Sequence, residues 1–245
     1  MNIALLGYGK MGREIERLAR ERKITVKKIF DVAENPDGKG LTKQSLKGVD
    51  VCIDFSTPDA ALTNIKAVAD CGVNIVVGTT GWYGKLKQVE ALVRAKKIGL
   101  LYSPNFSIGM NVFIGLVVEA SARFDKIKEY DVAIAETHHK GKVDSPSGTA
   151  LIIGEAILSQ INRKKKLLLE TSHDQIPKES LHVTSTRVGS VVGTHEVLFD
   201  SEADSIELVH TAKNRSGFAL GALVGAEWLK GKKGCFTMRD VINSL

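Results

Sequence analysis

The stretch Gly7-Tyr8-Gly9-Lys10-Met11-Gly12 constrains the fold of this 245-residue chain more than any other. It follows an apolar run at residues 2–6 and opens residues 11–22, where Ile15, Leu18 and Ala19 recur at helical spacing. A GxGxxG by itself is common, but strand, glycine loop and helix in that order form a specific pattern. The first glycine turns the chain tightly, the second lets the backbone approach a pyrophosphate, and the third lets the helix pack on the strand. The helix N-terminus then offers N–H groups to phosphate oxygens. An acid about 20 residues on, at the end of the second strand, belongs to the same pattern. Asp31 stands there, after Lys28-Ile29-Phe30. Its carboxylate suits the hydroxyls of an adenosine ribose and repels a 2′-phosphate. That favours NADH, with Lys39 on the same loop left as a possible aid to NADPH.

The alternation continues. Residues 26–30, 51–55, 75–77 and 98–102 read as strands, and helical spacing lies between them, as at Ala61, Leu62, Ile65, Val68 and Ala69. Strands alternating with helices imply a parallel sheet covered on both faces. Gly78-Thr79-Thr80-Gly81 and Ser103-Pro104-Asn105-Phe106 fall where such strands end, which is where open α/β sheets bind ligands. After Asn105 the texture changes to a long apolar helix over 111–122, a strand over 130–135, and a helix over 150–161. From Ser180 onward polar and apolar residues alternate, as in half-buried antiparallel strands. A helix over 218–229 closes the pattern. The expected architecture is α/β: a Rossmann-like dinucleotide-binding domain, residues 1–106 plus 217–245, and a second α+β domain, residues 107–216, on a mixed, largely antiparallel sheet.

Composition removes several classes. Hydrophobic residues make up 43% and charged residues 25%, ordinary for a globular chain. No apolar run approaches the roughly 18 residues that span a bilayer. The N-terminus lacks a basic flank and a cleavage site, so a cytoplasmic protein with no membrane partner is expected. Cys52, Cys71 and Cys235 are scattered and read as core residues. The net charge of +6 suits small anions, and the basic run Arg163-Lys164-Lys165-Lys166 reads as a solvated helix end or loop. Aromatic residues are few (6%) and do not interleave with basic ones, which argues against nucleic acid.

The second dense signal is Glu136-Thr-His-His-Lys-Gly-Lys-Val-Asp-Ser-Pro-Ser-Gly-Thr149. His138 and His139 are adjacent, so on a strand they face opposite ways, and no HExxH or cysteine partner accompanies them; this argues against a metal. Ser147 is a natural N-cap for the helix that follows, leaving the Gly148 and Thr149 amides for a carboxylate or phosphate. A capped helix behind a polar loop accounts for Pro146 and Ser147. It does not account for two histidines and two lysines, Lys140 and Lys142, just upstream. A histidine exchanges protons near neutral pH, and a lysine stabilises developing negative charge.

With these pieces the chain resembles the 4-hydroxy-tetrahydrodipicolinate reductase family (older name dihydrodipicolinate reductase). GYGKMG, DFSTP, GTTGW, SPNFSIGMN, ETHHKGKVDSPSGTA, RVGSVVGTHEVLF and HTAKNRSGFALGAL occur in the family's order and cover nearly the whole chain. The resemblance implies hydride transfer from NADH or NADPH to C4 of a cyclic dicarboxylate, with the 4-hydroxyl leaving as water, in the diaminopimelate route to lysine. It implies His138 as proton donor and acceptor, Lys142 as second catalytic group, and His139, Gly148 and Thr149 as substrate-binding residues. Gly7, Tyr8, Gly9, Lys10, Met11, Gly12 and Asp31 would hold the adenosine half of the cofactor. Gly78, Thr79, Thr80, Ser103, Pro104, Asn105 and Phe106 would line the nicotinamide end. It further implies a homotetramer built through the sheet of the second domain. Lys10 stands where many members carry arginine, and no arginine follows Asp31. The neighbouring alternative is another two-domain nicotinamide-dependent dehydrogenase, of aspartate or homoserine type.

Overall fold

Short apolar runs separated by amphipathic ones build the first half of the chain. In order these are β1 (Asn2–Leu6), α1 (Lys10–Glu21), β2 (Thr25–Phe30), β3 (Val51–Asp54), α2 (Pro58–Asp70), β4 (Asn74–Val77), α3 (Leu86–Lys96) and β5 (Gly99–Tyr102). The computed structural model describes residues 1–31, 33 and 35–245. Next come α4 (Ile108–Phe124), β6 (Asp131–His138), α5 (Gly148–Leu158), β7 (Lys166–Leu168), β8 (Ser180–Arg187), β9 (Gly193–Asp200) and β10 (Ser205–Ala212). The chain ends with α6 (Ser216–Leu229), β11 (Gly234–Thr237) and α7 (Met238–Ile242). It divides into two compact units, one of Met1–Ile108 with Arg215–Leu245 and one of Gly109–Asn214.

The first unit is a six-stranded sheet in the order β11-β5-β4-β3-β1-β2, and every pairing is parallel. Alternate side chains serve opposite faces. Ile3 and Leu5 of β1 join Ile15 and Ala19 of α1 and Ala219, Ala222, Leu223 and Ala226 of α6 in one core layer. Ala4 and Leu6 join Ile65 and Val68 of α2 and Val89 and Val93 of α3 in the other. This double burial explains why β3 is apolar at successive positions rather than alternating. The order sets the loops after β4, β3 and β1 side by side along the carboxyl edge of the sheet.

Two elements here are not foreseen in sequence, β11 and α7. β11 pairs with β5, from Gly234 on Gly99 to Thr237 on Tyr102. α7 starts where the Asp240 carboxylate accepts hydrogen bonds from the Thr237 amide, at 2.7 Å, and hydroxyl, at 2.9 Å.

The second unit is a five-stranded sheet ordered β10-β9-β6-β8-β7. β6 lies antiparallel to β9 and parallel to β8, β9 antiparallel to β10, and β7 parallel to β8. The sheet is mixed, with parallel and antiparallel pairings in equal number; alternation of polar and apolar residues specifies a face but not a direction. Val132 and Ile134 of β6, Leu181 and Val183 of β8, and Val197 and Phe199 of β9 pack with Met110, Phe113 and Val117 of α4 and Ile153 and Ile157 of α5. The basic run is not simply a solvated end. Lys164 is 3% exposed, its ammonium on the Ser180 carbonyl at 2.8 Å and on Asp131 at 2.7 Å. Arg163 donates to the carbonyls of Phe124 and Tyr130. The end of α4, the turn before β6 and the start of β8 carry backbone carbonyls that need donors, and these two side chains, just before β7, supply them.

Candidate active site

In the first unit the glycine loop is built as its spacing requires. Gly7 has φ of +87°, and a Cβ there would sit 2.5 Å from the Phe55 carbonyl oxygen. A Cβ on Gly12 would lie 2.4 Å from the Gly7 oxygen, so α1 can approach β1 only with glycine there. Around Gly9 nothing lies within 4 Å of a Cβ position, which leaves this backbone open to a ligand. A cavity of about 490 Å³ is lined by Gly7, Tyr8, Gly9, Asp31, Ser56 and Asn64, among others. A second, of about 430 Å³, takes in Gly9, Lys10, Met11, Ser56, Thr79 and Thr80. Together they run from the acid at the end of β2, past the glycine loop, to the loop after β4. An elongated dinucleotide fits this cradle.

Ser103, Pro104, Asn105 and Phe106 line neither of these two cavities. They follow β5, beside the loop after β4, and are turned by their own contacts: Ser103 Oγ donates to the Asn105 carbonyl at 2.7 Å, and Asn105 Oδ1 accepts from the Ser107 amide at 2.9 Å. Phe106 belongs to the core and meets Phe55 edge to face at 5.8 Å. Gly78 also serves packing, since a Cβ there would strike the Phe55 ring at 2.2 Å.

Residue-by-residue reading missed the post under these loops, Asp54, which ends β3. Its buried carboxylate accepts from the Ser56 amide (2.9 Å) and hydroxyl (2.7 Å), from Asn64 (2.9 Å) and from Thr79 Oγ1 (2.8 Å). Burial pushes its pKa up, and these hydrogen bonds oppose the rise. One carboxylate thus ties the loops after β3 and β4 to α2. The signal is an acid closing an otherwise apolar strand and followed by Phe-Ser-Thr-Pro.

In the second unit β6 turns alternate residues inward, so Glu136 and His138 lie on one face while Thr137 faces the other way. Pairing register supplies the rest. Glu136 is opposite His195 on β9, and His138 is opposite Arg187 on β8. Glu136 is 2% exposed and His138 7%. Oxygen Oε1 of Glu136 accepts from the Ser147 amide (2.9 Å), Ser185 Oγ (2.9 Å) and Arg187 Nη2 (2.8 Å). Oxygen Oε2 lies 3.0 Å from His138 Nδ1 and 3.7 Å from His195 Nε2. Arg187 also donates to the Asp144 carbonyl at 2.6 Å, fastening the loop to the sheet.

Electrostatics follow from this packing. Burial raises the Glu136 pKa, but the bonds from Ser147, Arg187 and Ser185 outweigh it and leave it at about 2. Burial lowers His138; Glu136 opposes that shift, while Lys142 and Arg187 add to it. His195, deeper and beside His138, is pushed down to about 4. Atoms of Glu136, His138 and His195 with metal-ligand chemistry lie within 4.8 Å of one another. The Arg187 guanidinium already balances this carboxylate, and the group is one the adjacent pair His138–His139 does not suggest.

The loop places Lys142 Nζ on Asp144 at 2.8 Å and 3.0 Å. Ser147 caps α5, its hydroxyl accepting from Ala150 N at 3.2 Å. The Gly148 amide, expected to be open, points at Asp144 Oδ2 at 3.4 Å, a long contact. Thr149 also has interactions of its own. The receptor at this helix end is therefore held by an internal carboxylate that also takes the lysine. His139, half-buried, accepts from the Lys142 amide through its carbonyl at 3.0 Å.

Two family models cover the chain, dihydrodipicolinate reductase N-terminus over residues 1–106 and C-terminus over residues 109–242. The chain belongs to the dihydrodipicolinate reductase family. A 4-hydroxy-tetrahydrodipicolinate reductase from Christiangramia forsetii is 42% identical over 248 residues, covering 100% of this chain and 99% of the relative. One from Archaeoglobus fulgidus is 37% identical over 261 residues, covering 99% and 100%. In fold the chain is similar to a dipicolinate-bound dihydrodipicolinate reductase from Paenisporosarcina sp. TG-14, with TM-score 0.81, 24% identity, and coverage of 100% and 99%. Among the described residues no helix is long and apolar enough to cross a membrane.

Proposed function

We propose that this chain reduces 4-hydroxy-tetrahydrodipicolinate to tetrahydrodipicolinate, consuming one NAD(P)H and one proton and releasing one water. The observation that carries this reading is the full-length identity with relatives of that name, and the chemistry of both units supports it. Residues 1–106 with 217–245 bind the cofactor, and residues 107–216 the substrate. NAD(P)H supplies the hydride for C4. Gly7, Tyr8, Gly9, Lys10, Met11 and Gly12 cradle its pyrophosphate and Asp31 its ribose. Gly78, Thr79 and Thr80, with Ser103, Pro104, Asn105 and Phe106 beside them, serve the nicotinamide end. His138 gives and takes the proton, and Lys142 stabilises the charge that builds on the substrate. A substrate carboxylate takes over the place of Asp144 on Lys142 and on the Gly148 amide and reaches the Thr149 amide, with His139 beside it. Asp31 favours NADH over NADPH. No metal takes part. The chain works in the cytoplasm as a homotetramer, joined through the second unit's sheet, where Ile206 and Val209 of β10 are exposed.

The test is oxidation of NADH or NADPH in the presence of the condensation product of aspartate semialdehyde and pyruvate. We expect turnover. Oxidation of aspartate or homoserine with no turnover of the cyclic substrate would overturn the reading. His138→Gln and Lys142→Ala are each expected to lower kcat about 100-fold or more, with NADH affinity within about twofold of wild type because neither residue lies in the cofactor-binding unit. Wild-type turnover in both variants would remove the catalytic assignment.

A further inference from the structure

We propose that Glu136 is a positioning residue for this reaction: through Oε2 it holds the His138 ring with Nδ1 protonated, and so makes Nε2 the atom that exchanges the proton. The inference rests on His138 as the proton-transfer group proposed above. It starts from the unequal use of the two Glu136 oxygens. Three donors, the Ser147 amide, Ser185 and Arg187, converge on Oε1. Oε2 has no hydrogen bond of good alignment, and neither does His138 Nδ1, yet the two buried atoms are 3.0 Å apart. A buried carboxylate oxygen beside a buried ring nitrogen is costly unless a proton lies between them.

His195 is the competing partner, and distance decides against it. Its Nε2 is 3.7 Å from Oε2 but 3.3 Å from Ser147 Oγ, the N-cap hydroxyl of α5. The rings of His138 and His195 meet edge to face with centroids 5.2 Å apart, so His195 walls the site rather than taking the carboxylate.

A second, independent feature concerns the other ring nitrogen. A Cβ at Gly193, the first residue of β9, would lie 2.9 Å from His138 Nε2 and 3.3 Å from Cδ2. The bare Cα there keeps a side chain off Nε2. One residue fixes the inner nitrogen and another keeps clear the outer one. In a neutral imidazole, fixing the proton on Nδ1 leaves Nε2 as the acceptor, and the same nitrogen becomes the donor once protonated. The charged and titratable groups around the ring are Glu136 on β6, Arg187 on β8, His195 on β9, and Lys142 and Asp144 in the loop.

The experiment uses the full chain labelled with ¹⁵N-histidine, with His138 identified by the signal lost in His138→Gln. The expected result is a wild-type His138 in the Nδ1–H tautomer, and a shift toward Nε2–H or a mixture in Glu136→Gln. Kinetically, Glu136→Gln is expected to lower kcat about 100-fold, keep the NADH KM within about twofold, and move the His138 limb of the pH–rate profile to lower pH. The last sign follows from losing the carboxylate 3.0 Å from the ring, which favours the protonated imidazole. Gly193→Ala, with Glu136 and Arg187 intact, is expected to lower kcat with the tautomer retained. That variant covers the case in which Glu136→Gln fails to fold. An Nε2–H tautomer in the wild type, or wild-type kcat and pH profile in Glu136→Gln, would overturn the inference. So would activity that is lost to a chelator and restored by zinc, since Glu136 would then be a ligand. If the wild type does not reduce the cyclic substrate at all, the reductase reading fails, while the tautomer measurement still decides the role of Glu136.

Discussion

Asp31 shows how much one side chain at a strand end can decide. It lines the same cavity as Gly7 and Gly9, at the end of β2. In the proposed reading a carboxylate there accepts hydrogen bonds from two ribose hydroxyls and repels a third phosphate. Asp31→Ser is therefore expected to raise the NADH KM about tenfold, roughly 1.4 kcal/mol, and to leave the NADPH KM unchanged or lower. Steady-state rates with both cofactors measure this, and a wild type that strongly prefers NADPH would sink the reading of Asp31. Asp31, Gly7 and Gly12 were legible because their spacing is local: a strand, a turn and a helix fix where they fall. Glu136, Arg187 and His195 were not legible as a group. They lie up to 59 positions apart (195 − 136) and meet only through the register of β6 with β8 and β9. Nothing in a sequence pattern states which residue of one strand stands opposite which of another.

Elements follow the same division. Alternating apolar strands and amphipathic helices announced the first unit, because a parallel sheet covered on both faces needs continuous apolar runs. β7, β11 and α7 are three to five residues long, below the length at which a period can be read. α7 still left a trace in Thr237 and Asp240, spaced as in a capping box. The basic run before β7 misled for a related reason: composition reports charge, not the carbonyls that need it. Lys164 is buried between Asp131 and the Ser180 carbonyl, whereas Lys165 is exposed. Lys164→Ala strands the carbonyl and removes the ion pair, for a loss of about 2–3 kcal/mol. In a chain of this size that lowers Tm by about 5–10 °C. Lys165→Ala should stay within about 0.5 kcal/mol. Thermal melts of the two variants check this; equal Tm values would return the whole run to the solvated class.

At the scale of the molecule the buried histidines of the second unit carry a response to acid opposite to that of buried Asp54 in the first. Buried His138 and His195 of the second unit have pKa values pushed below 6.5, His195 to about 4. Their stabilisation is complete above pH 6.5 and is lost as pH falls toward 4, because folding then excludes protons that the unfolded chain binds. Glu136, lowered from 4.5 to about 2, stabilises above pH 4.5 and loses that contribution between 4.5 and 2. Asp54 of the first unit has the reverse sign. Its pKa is raised above 3.8 by burial, so its contribution is present in acid and declines as pH rises. Acidification from pH 6.5 to 4 should therefore weaken the second unit by up to about 3 kcal/mol through His195, with little change in the first. The two tryptophans, Trp82 and Trp228, both lie in the first unit, which makes the difference observable. At pH 7 in urea, tryptophan fluorescence and far-ultraviolet circular dichroism should give close midpoints. At pH 4.5 the dichroism midpoint should fall to lower urea than the fluorescence midpoint, and His195→Gln should narrow the gap. Coincident transitions at both pH values would show that the histidines do not set the acid stability of the second unit.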